Sequence, residues 1–259
     1  MHDGAIWGEA AHGRGNREGP GAKTARTSEG YGEATCATAE RLIRILAQLT
    51  CFVPAMNGWD GLWNLDGDAT FLDIGSGYGK VISCRGIHLL PRCAQPRHAV
   101  PARWQVVIHA KLLTGCRAAV GLECVAKRVE ISNTALQGLY CELDRAKLAN
   151  DMLKGVSFEA VDATTLRIFS HSHVYIFDRV FSQVTLIALG KVLQRSRFYV
   201  MISSRSPREW WSFGLSKVQP VAKMRFVTTG RERCTAYVYI NTDFIPGVAN
   251  LSMCRLHSS

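Results

Sequence analysis

The heptapeptide Asp73-Ile74-Gly75-Ser76-Gly77-Tyr78-Gly79 constrains this chain more than any other stretch. It follows Ala69-Thr70-Phe71-Leu72, so a short apolar run ends in an acid and then meets a glycine at every second position. That order reads as a buried strand turning into a helix, with glycines that let the backbone fold tightly and approach a ligand. Spacing excludes two familiar glycine loops. Lys80 follows Gly79 without the gap that the phosphate-cradling G-x-x-x-x-G-K-[ST] loop requires, and the third glycine comes one residue too early for G-x-G-x-x-G.

Further strand-like runs follow in order and end in acids: 118–123 at Glu123, 156–161 ahead of Asp162, and 173–177 ahead of Asp178. A fifth run covers 198–203, and helical stretches fall at 125–153 and 184–194. Runs at 226–229 and 235–241, around Gly230-Arg231-Glu232-Arg233, read as a closing hairpin. Strands alternating with helices and then a hairpin predict a three-layer α/β domain with a mostly parallel sheet. In such sheets ligands gather at the carboxyl ends of the strands, so Asp73, Glu123, Asp162 and Asp178 should share one rim.

The 259 residues suit one such domain with extensions, and an apolar share of 47% is ample for its core. Residues 1–28, rich in Gly, Ala, Arg and Glu, should be disordered. The domain itself should run over 29–244, opening with an amphipathic helix that carries Ala39, Leu42, Ile43, Leu46 and Leu49, and leaving 245–259 as a loose tail. Within it, 82–106 holds Pro91, Pro96 and Pro101 and no acid, where the helix after the glycine loop belongs. Joining Val81 to Val107 restores an amphipathic helix ending at Gly115. The segment therefore reads as an insert, either retained intervening sequence or a functional basic loop beside the site.

No apolar run is long enough to span a bilayer, and the N-terminus, with Asp3, Glu9 and Glu18 among its glycines, lacks signal architecture. The nine cysteines form no C-x-x-C pair, so neither a metal site nor a disulfide framework is expected, and reduced thiols in an intracellular compartment are. A net charge of +10 fits an acidic macromolecular partner, with DNA contact through the basic tail and insert.

The D-x-G-x-G-x-G loop resembles motif I of the seven-stranded class I S-adenosylmethionine-dependent methyltransferases. Taken with Tyr31-Gly32-Glu33-Ala34-Thr35, Val120-Gly121-Leu122-Glu123, Ser203-Ser204 and Tyr237-Val238-Tyr239, residues 30–242 resemble the disruptor-of-telomeric-silencing family. These are the non-SET histone-lysine methyltransferases. The resemblance implies a Rossmann-like seven-stranded sheet with a C-terminal antiparallel hairpin, S-adenosylmethionine as cofactor, and a lysine of histone H-three on nucleosomes as substrate, in the nucleus. Carried over by position, Tyr31, Gly32, Glu33 and Thr35 would close over the methionine end of the cofactor. Asp73, Gly75, Gly77 and Lys80 would surround it, Glu123 would hold the ribose, and Asp162 the adenine amino group.

Three positions depart from the family pattern. Ala163 stands where an aromatic packs on adenine, Phe177-Asp178-Arg179-Val180 replaces V-N-N-F, and Thr228 replaces an aromatic before Thr229-Gly230. The expected chemistry is in-line attack by a neutral lysine amine on a sulfonium methyl. Asp178 is the candidate catalytic residue, as an acid on the rim that orients the amine or relays its proton. Trp210 and Trp211 would either wall a lysine channel or belong to the core. A class I methyltransferase with another protein, RNA or small-molecule acceptor stays open, as does an inactive paralogue.

Overall fold

The computed structural model describes residues 34–77, 106–228, 233–245 and 253–256. The tail 1–28, the loop residues Tyr31, Gly32 and Glu33, Lys80, and the insert as far as residue 105 lie outside them.

Thr35 opens helix α1 (Cys36–Ala47) as its cap, its hydroxyl accepting the Thr38 N–H, and Ala39, Leu42, Ile43 and Leu46 face inward at the predicted spacing. A single further turn, α2 (Leu49–Phe52), and two short 3-10 turns lead to strand β1 (Thr70–Ile74). Beyond the glycine loop comes α3 (Val106–Thr114), which stops at Gly115 with a φ of 66°. Strand β2 (Ala118–Glu123), helix α4 (Ala126–Arg145), strands β3 (Val156–Ala160) and β4 (His173–Ile176), helix α5 (Gln183–Arg195) and strand β5 (Val200–Ser203) alternate as expected. After β5 come a short helix α6 (Pro207–Ser212) and the strands β6 (Val218–Val227), β7 (Arg233–Asn241) and β8 (Cys254–Arg255).

The strand order is β3-β2-β1-β4-β5-β7-β6-β8. The first five strands are parallel, and β7 lies antiparallel between β5 and β6. The mostly parallel sheet with an antiparallel closing hairpin is as expected. One strand is additional: β8 pairs in parallel with β6 at Ala222 and Lys223, so this part of 245–259 is an edge strand where a loose tail was expected.

Strands β1, β2, β4 and β5 are largely buried on both faces, which is why their sequences run apolar, whereas β3 at the sheet edge exposes Glu159 and Ala160. The two-residue period still sorts them. Phe71, Ala119, Tyr175, Val200 and Ile202 face one core with α1, α3 and α4, while Leu72, Ile74, Leu122, Val174, Ile176 and Met201 face the other with α5, Trp210 and Phe213.

The differences from expectation sit at boundaries. α4 ends at Arg145 rather than continuing to 153, because Lys147 takes a left-handed φ of 53° and a separate 3-10 turn follows at Asn150–Leu153. β6 begins well before 226, accommodating Pro220 at a register shift. α6 was not foreseen, although Ser206 and Glu209 form a capping box ahead of it. Among the described residues Cys51, Cys116, Cys124, Cys141, Cys234 and Cys254 are reduced thiols, whereas Cys36 is disulfide-bonded.

Candidate active site

Because β1 to β5 are parallel, the residues that follow them emerge on one rim. At β1 the chain turns through Gly75 (φ 75°) and Gly77 (φ 63°), conformations open to glycine at little cost. The Gly75 and Ser76 N–H groups both donate to the Leu122 carbonyl, at 2.8 and 3.0 Å, so the loop is laid across the end of β2. That crossing explains Gly121. A Cβ there would lie 2.7 Å from the Phe158 ring and 2.9 Å from Ser76 Oγ.

Glu123 is buried at the end of β2, and its carboxylate turns back over the loop. Its Oε2 accepts the Gly77 N–H at 3.0 Å, and its Oε1 accepts the Val125 N–H at 2.9 Å. The predicted ribose acid is therefore already a clasp on the glycine loop. Behind it stands Arg128 of α4, also buried, with Nη1 3.5 Å from Glu123 Oε2. One helical turn on, Ser132 donates from Oγ to the Gly77 carbonyl at 3.3 Å. Neither residue stood out from the sequence. The available signal was a polar pair four apart beside the apolar line Val129, Leu136 and Leu143.

Asp162 follows β3 and caps a 3-10 turn, its Oδ1 accepting the Thr164 N–H at 2.9 Å and the Thr164 hydroxyl at 2.7 Å. The Val161 N–H donates to the Glu123 carbonyl at 3.0 Å, which holds this turn beside β2. Cys124 lies between the two acids. Burial first, then the Glu123 charge and hydrogen bond and the Asp162 charge, push its thiol far above the ordinary range, so it is no nucleophile.

Asp178, the expected rim acid, opens a 3-10 turn just beyond β4 and is fully buried. Its carboxylate accepts the Ser203 and Ser204 hydroxyls and, at 3.1 Å, the Ser204 N–H. Ser203 in turn accepts the Trp210 indole N–H at 2.7 Å and the Arg205 N–H at 2.9 Å. Arg205 donates to the Asp178 carbonyl at 3.0 Å, and Tyr239 donates to the Arg205 carbonyl at 2.6 Å. Burial raises the Asp178 carboxyl above its usual range, opposed by these donors and the Arg205 charge. The group organises the ends of β4 and β5. It does not present an open oxygen to a substrate.

Thr35 lies beside the hairpin, since Ala34 bridges to Thr228 and the Thr38 hydroxyl donates to the Val227 carbonyl at 3.3 Å. The departure Thr228 is buried there. Trp210 belongs to the core, whereas Trp211 is half-exposed with its indole N–H on the Val218 carbonyl.

The geometry of the rim suits a ligand that offers hydroxyl donors. Ser76 Oγ, at the centre of the glycine loop, is buried without a hydrogen-bond partner. A backbone loop bare of Cβ atoms at Gly75 and Gly77 runs beside a buried carboxylate, a combination hostile to phosphate and suited to hydroxyl donors.

No protein-family model matches the chain. No curated protein matches it either. Among solved structures, TrmN from Thermus thermophilus is similar at 12% identity over 79% of this chain and 48% of its own, with a TM-score of 0.47. Magnesium protoporphyrin IX methyltransferase (ChlM) from Synechocystis PCC 6803 with bound SAM is similar at 11% identity over 82% and 86%, with a TM-score of 0.44. A variant of MtNAS in complex with S-adenosylmethionine matches at 11% identity over 78% and 62%, with a TM-score of 0.42. This chain spans about half the length of the TrmN structure it matches. Likenesses this distant do not bear on what the chain does, and its fold is read from its own strand order.

Proposed function

We propose that this chain is an S-adenosylmethionine-dependent methyltransferase whose cofactor lies along the β1 and β2 ends of the rim. The observation that carries the reading is the Gly77–Glu123 contact, which brings a buried carboxylate against a glycine loop unsuited to phosphate. Asp73, Gly75, Gly77, Glu123 and Asp162 would hold the cofactor, joined by Tyr31, Gly32, Glu33, Thr35 and Lys80 on the sequence resemblance. When bound, S-adenosylmethionine supplies an electrophilic methyl on a sulfonium sulfur. The chain supplies close approach through its glycines, a buried carboxylate at Glu123, and an ordered β5 end through Asp178. Asp178 is a positioning residue in this scheme.

For the acceptor we carry forward a lysine of a core histone on nucleosomes, acting in the nucleus, with DNA contact through basic segments. This rests on Tyr31-Gly32-Glu33-Ala34-Thr35 and the motifs that follow it. One observation favours a second acceptor class. The buried Asp178 replaces the family's neutral fourth-strand motif, and Ala163 removes a stacking aromatic, so another protein, an RNA or a small molecule would meet a different wall.

Calorimetric titration with S-adenosylhomocysteine tests the cofactor reading: binding that Glu123→Ala weakens is expected, and no binding by folded protein sinks it. Methyl transfer to nucleosomes but not to free histones, RNA or peptides is the expected pattern for the histone reading. Transfer confined to RNA or free peptides would replace that reading with the second.

A further inference from the structure

The methyltransferase reading, on which this inference rests, assigns α4 no part in the site. Its geometry assigns it one. Gly77 has both backbone groups captured by side chains: its N–H by Glu123 Oε2 at 3.0 Å, and its carbonyl by Ser132 Oγ at 3.3 Å. Ser132 also donates to the Arg128 carbonyl at 3.0 Å, so its hydroxyl is shared between helix and loop. Arg128 and Ser132 are four apart, hence on one face of α4, and that face is buried against the loop. The Arg128 side chain is 8% exposed and that of Glu123 is 3% exposed.

A buried carboxylate without a cationic partner is costly, and one that must face a ligand needs that partner on its far side. Arg128 supplies that partner, its Nη1 3.5 Å from Glu123 Oε2. We propose that Arg128 and Ser132 are positioning residues of the cofactor site, acting through Glu123 and Gly77. Arg128 holds the Glu123 carboxylate oriented over the loop, and Ser132 holds Gly77 in its left-handed turn. Together they preset the acceptor that reads the ribose hydroxyls, so binding does not have to build it.

The test is calorimetric titration of the full chain with S-adenosylhomocysteine, and with adenosine against 2′-deoxyadenosine. It compares the wild type with Glu123→Gln, Arg128→Gln, Arg128→Lys, Ser132→Ala and the Glu123→Gln/Arg128→Gln double variant. Arg128→Gln should weaken binding roughly 10- to 100-fold, by analogy with the outer partners that orient metal-ligating side chains. Its loss should not multiply with that of Glu123→Gln, because one acts through the other. Arg128→Gln should also blunt the preference for adenosine over 2′-deoxyadenosine, and Arg128→Lys should recover part of both. Multiplying losses, or an Arg128→Gln variant that binds and discriminates like the wild type, would overturn the proposal. If Arg128→Gln does not fold, Ser132→Ala decides: a severalfold loss of affinity supports the latch, and wild-type binding removes it. A wild type that binds no S-adenosylhomocysteine defeats the underlying methyltransferase reading instead, and this proposal with it.

Discussion

Gly121 and His173 each have one physical job that a substitution exposes. At Gly121 the missing Cβ leaves room for the Phe158 ring and for Ser76 Oγ, both within 3 Å of where it would stand. Gly121→Ala should therefore cost about 1–3 kcal/mol, the range for overpacking, and should weaken S-adenosylhomocysteine binding by displacing Ser76. Urea unfolding and titration of the same sample check both. His173 is fully buried, its Nε2 donating to the Trp63 carbonyl at 3.2 Å, and burial lowers its pKa from 6.5 to about 4. Between those values the unfolded chain takes up a proton that the folded chain refuses. This contribution is therefore complete above pH 6.5 and lost as pH falls toward 4, by about 3 kcal/mol in all. Urea midpoints measured from pH 7 to 4.5 should fall more steeply for the wild type than for His173→Gln.

Among the elements, the junction of β4 with β5 is held by side chains as well as by its ladder. Asp178 gathers Ser203 and Ser204, and through them Trp210 of α6 and Arg205. Asp178→Ala leaves those buried donors unmatched and should cost roughly 3 kcal/mol, with Asp178→Asn costing less because it keeps an acceptor. Thermal unfolding of the two variants ranks them. A second junction is steric. A Cβ on Gly190 would stand 2.3 Å from the Phe213 carbonyl oxygen, so α5 packs against the end of α6 through a glycine. Gly190→Ala must push the two apart, at about 2 kcal/mol, although helix propensity alone favours alanine. Propensity had no means of showing this contact, and α6 was missed for a related reason. Six residues carry too little periodicity, and the capping box Ser206–Glu209 with Pro207 at the first helical position was its local mark.

At the scale of the molecule, a ligand that binds only the folded chain adds RT ln(1 + [L]/Kd) to its stability, about 2.7 kcal/mol at a hundredfold excess over Kd. For a domain of this size that is a rise in Tm of roughly 5–10 °C with S-adenosylhomocysteine, and a smaller rise in Glu123→Ala at the same concentration. The fold itself was legible before any coordinates. The order of apolar runs, the acids that end them and the spacing of Leu42, Ile43 and Leu46 are local patterns, and local patterns determine which segments become strands and helices and which rim the acids share. The sequence alone also placed Gly75, Gly77 and Glu123 in one neighbourhood, since a glycine loop after β1 and an acid after β2 must meet when the strands are parallel neighbours. Only the tertiary structure decided what those acids do. Glu123 turns inward to Gly77 and Arg128, Asp178 is sealed beneath two serines, and Cys254 joins the sheet edge. Side-chain direction, burial and strand pairing arise from contacts between residues distant along the chain, and no periodicity within a segment carries them.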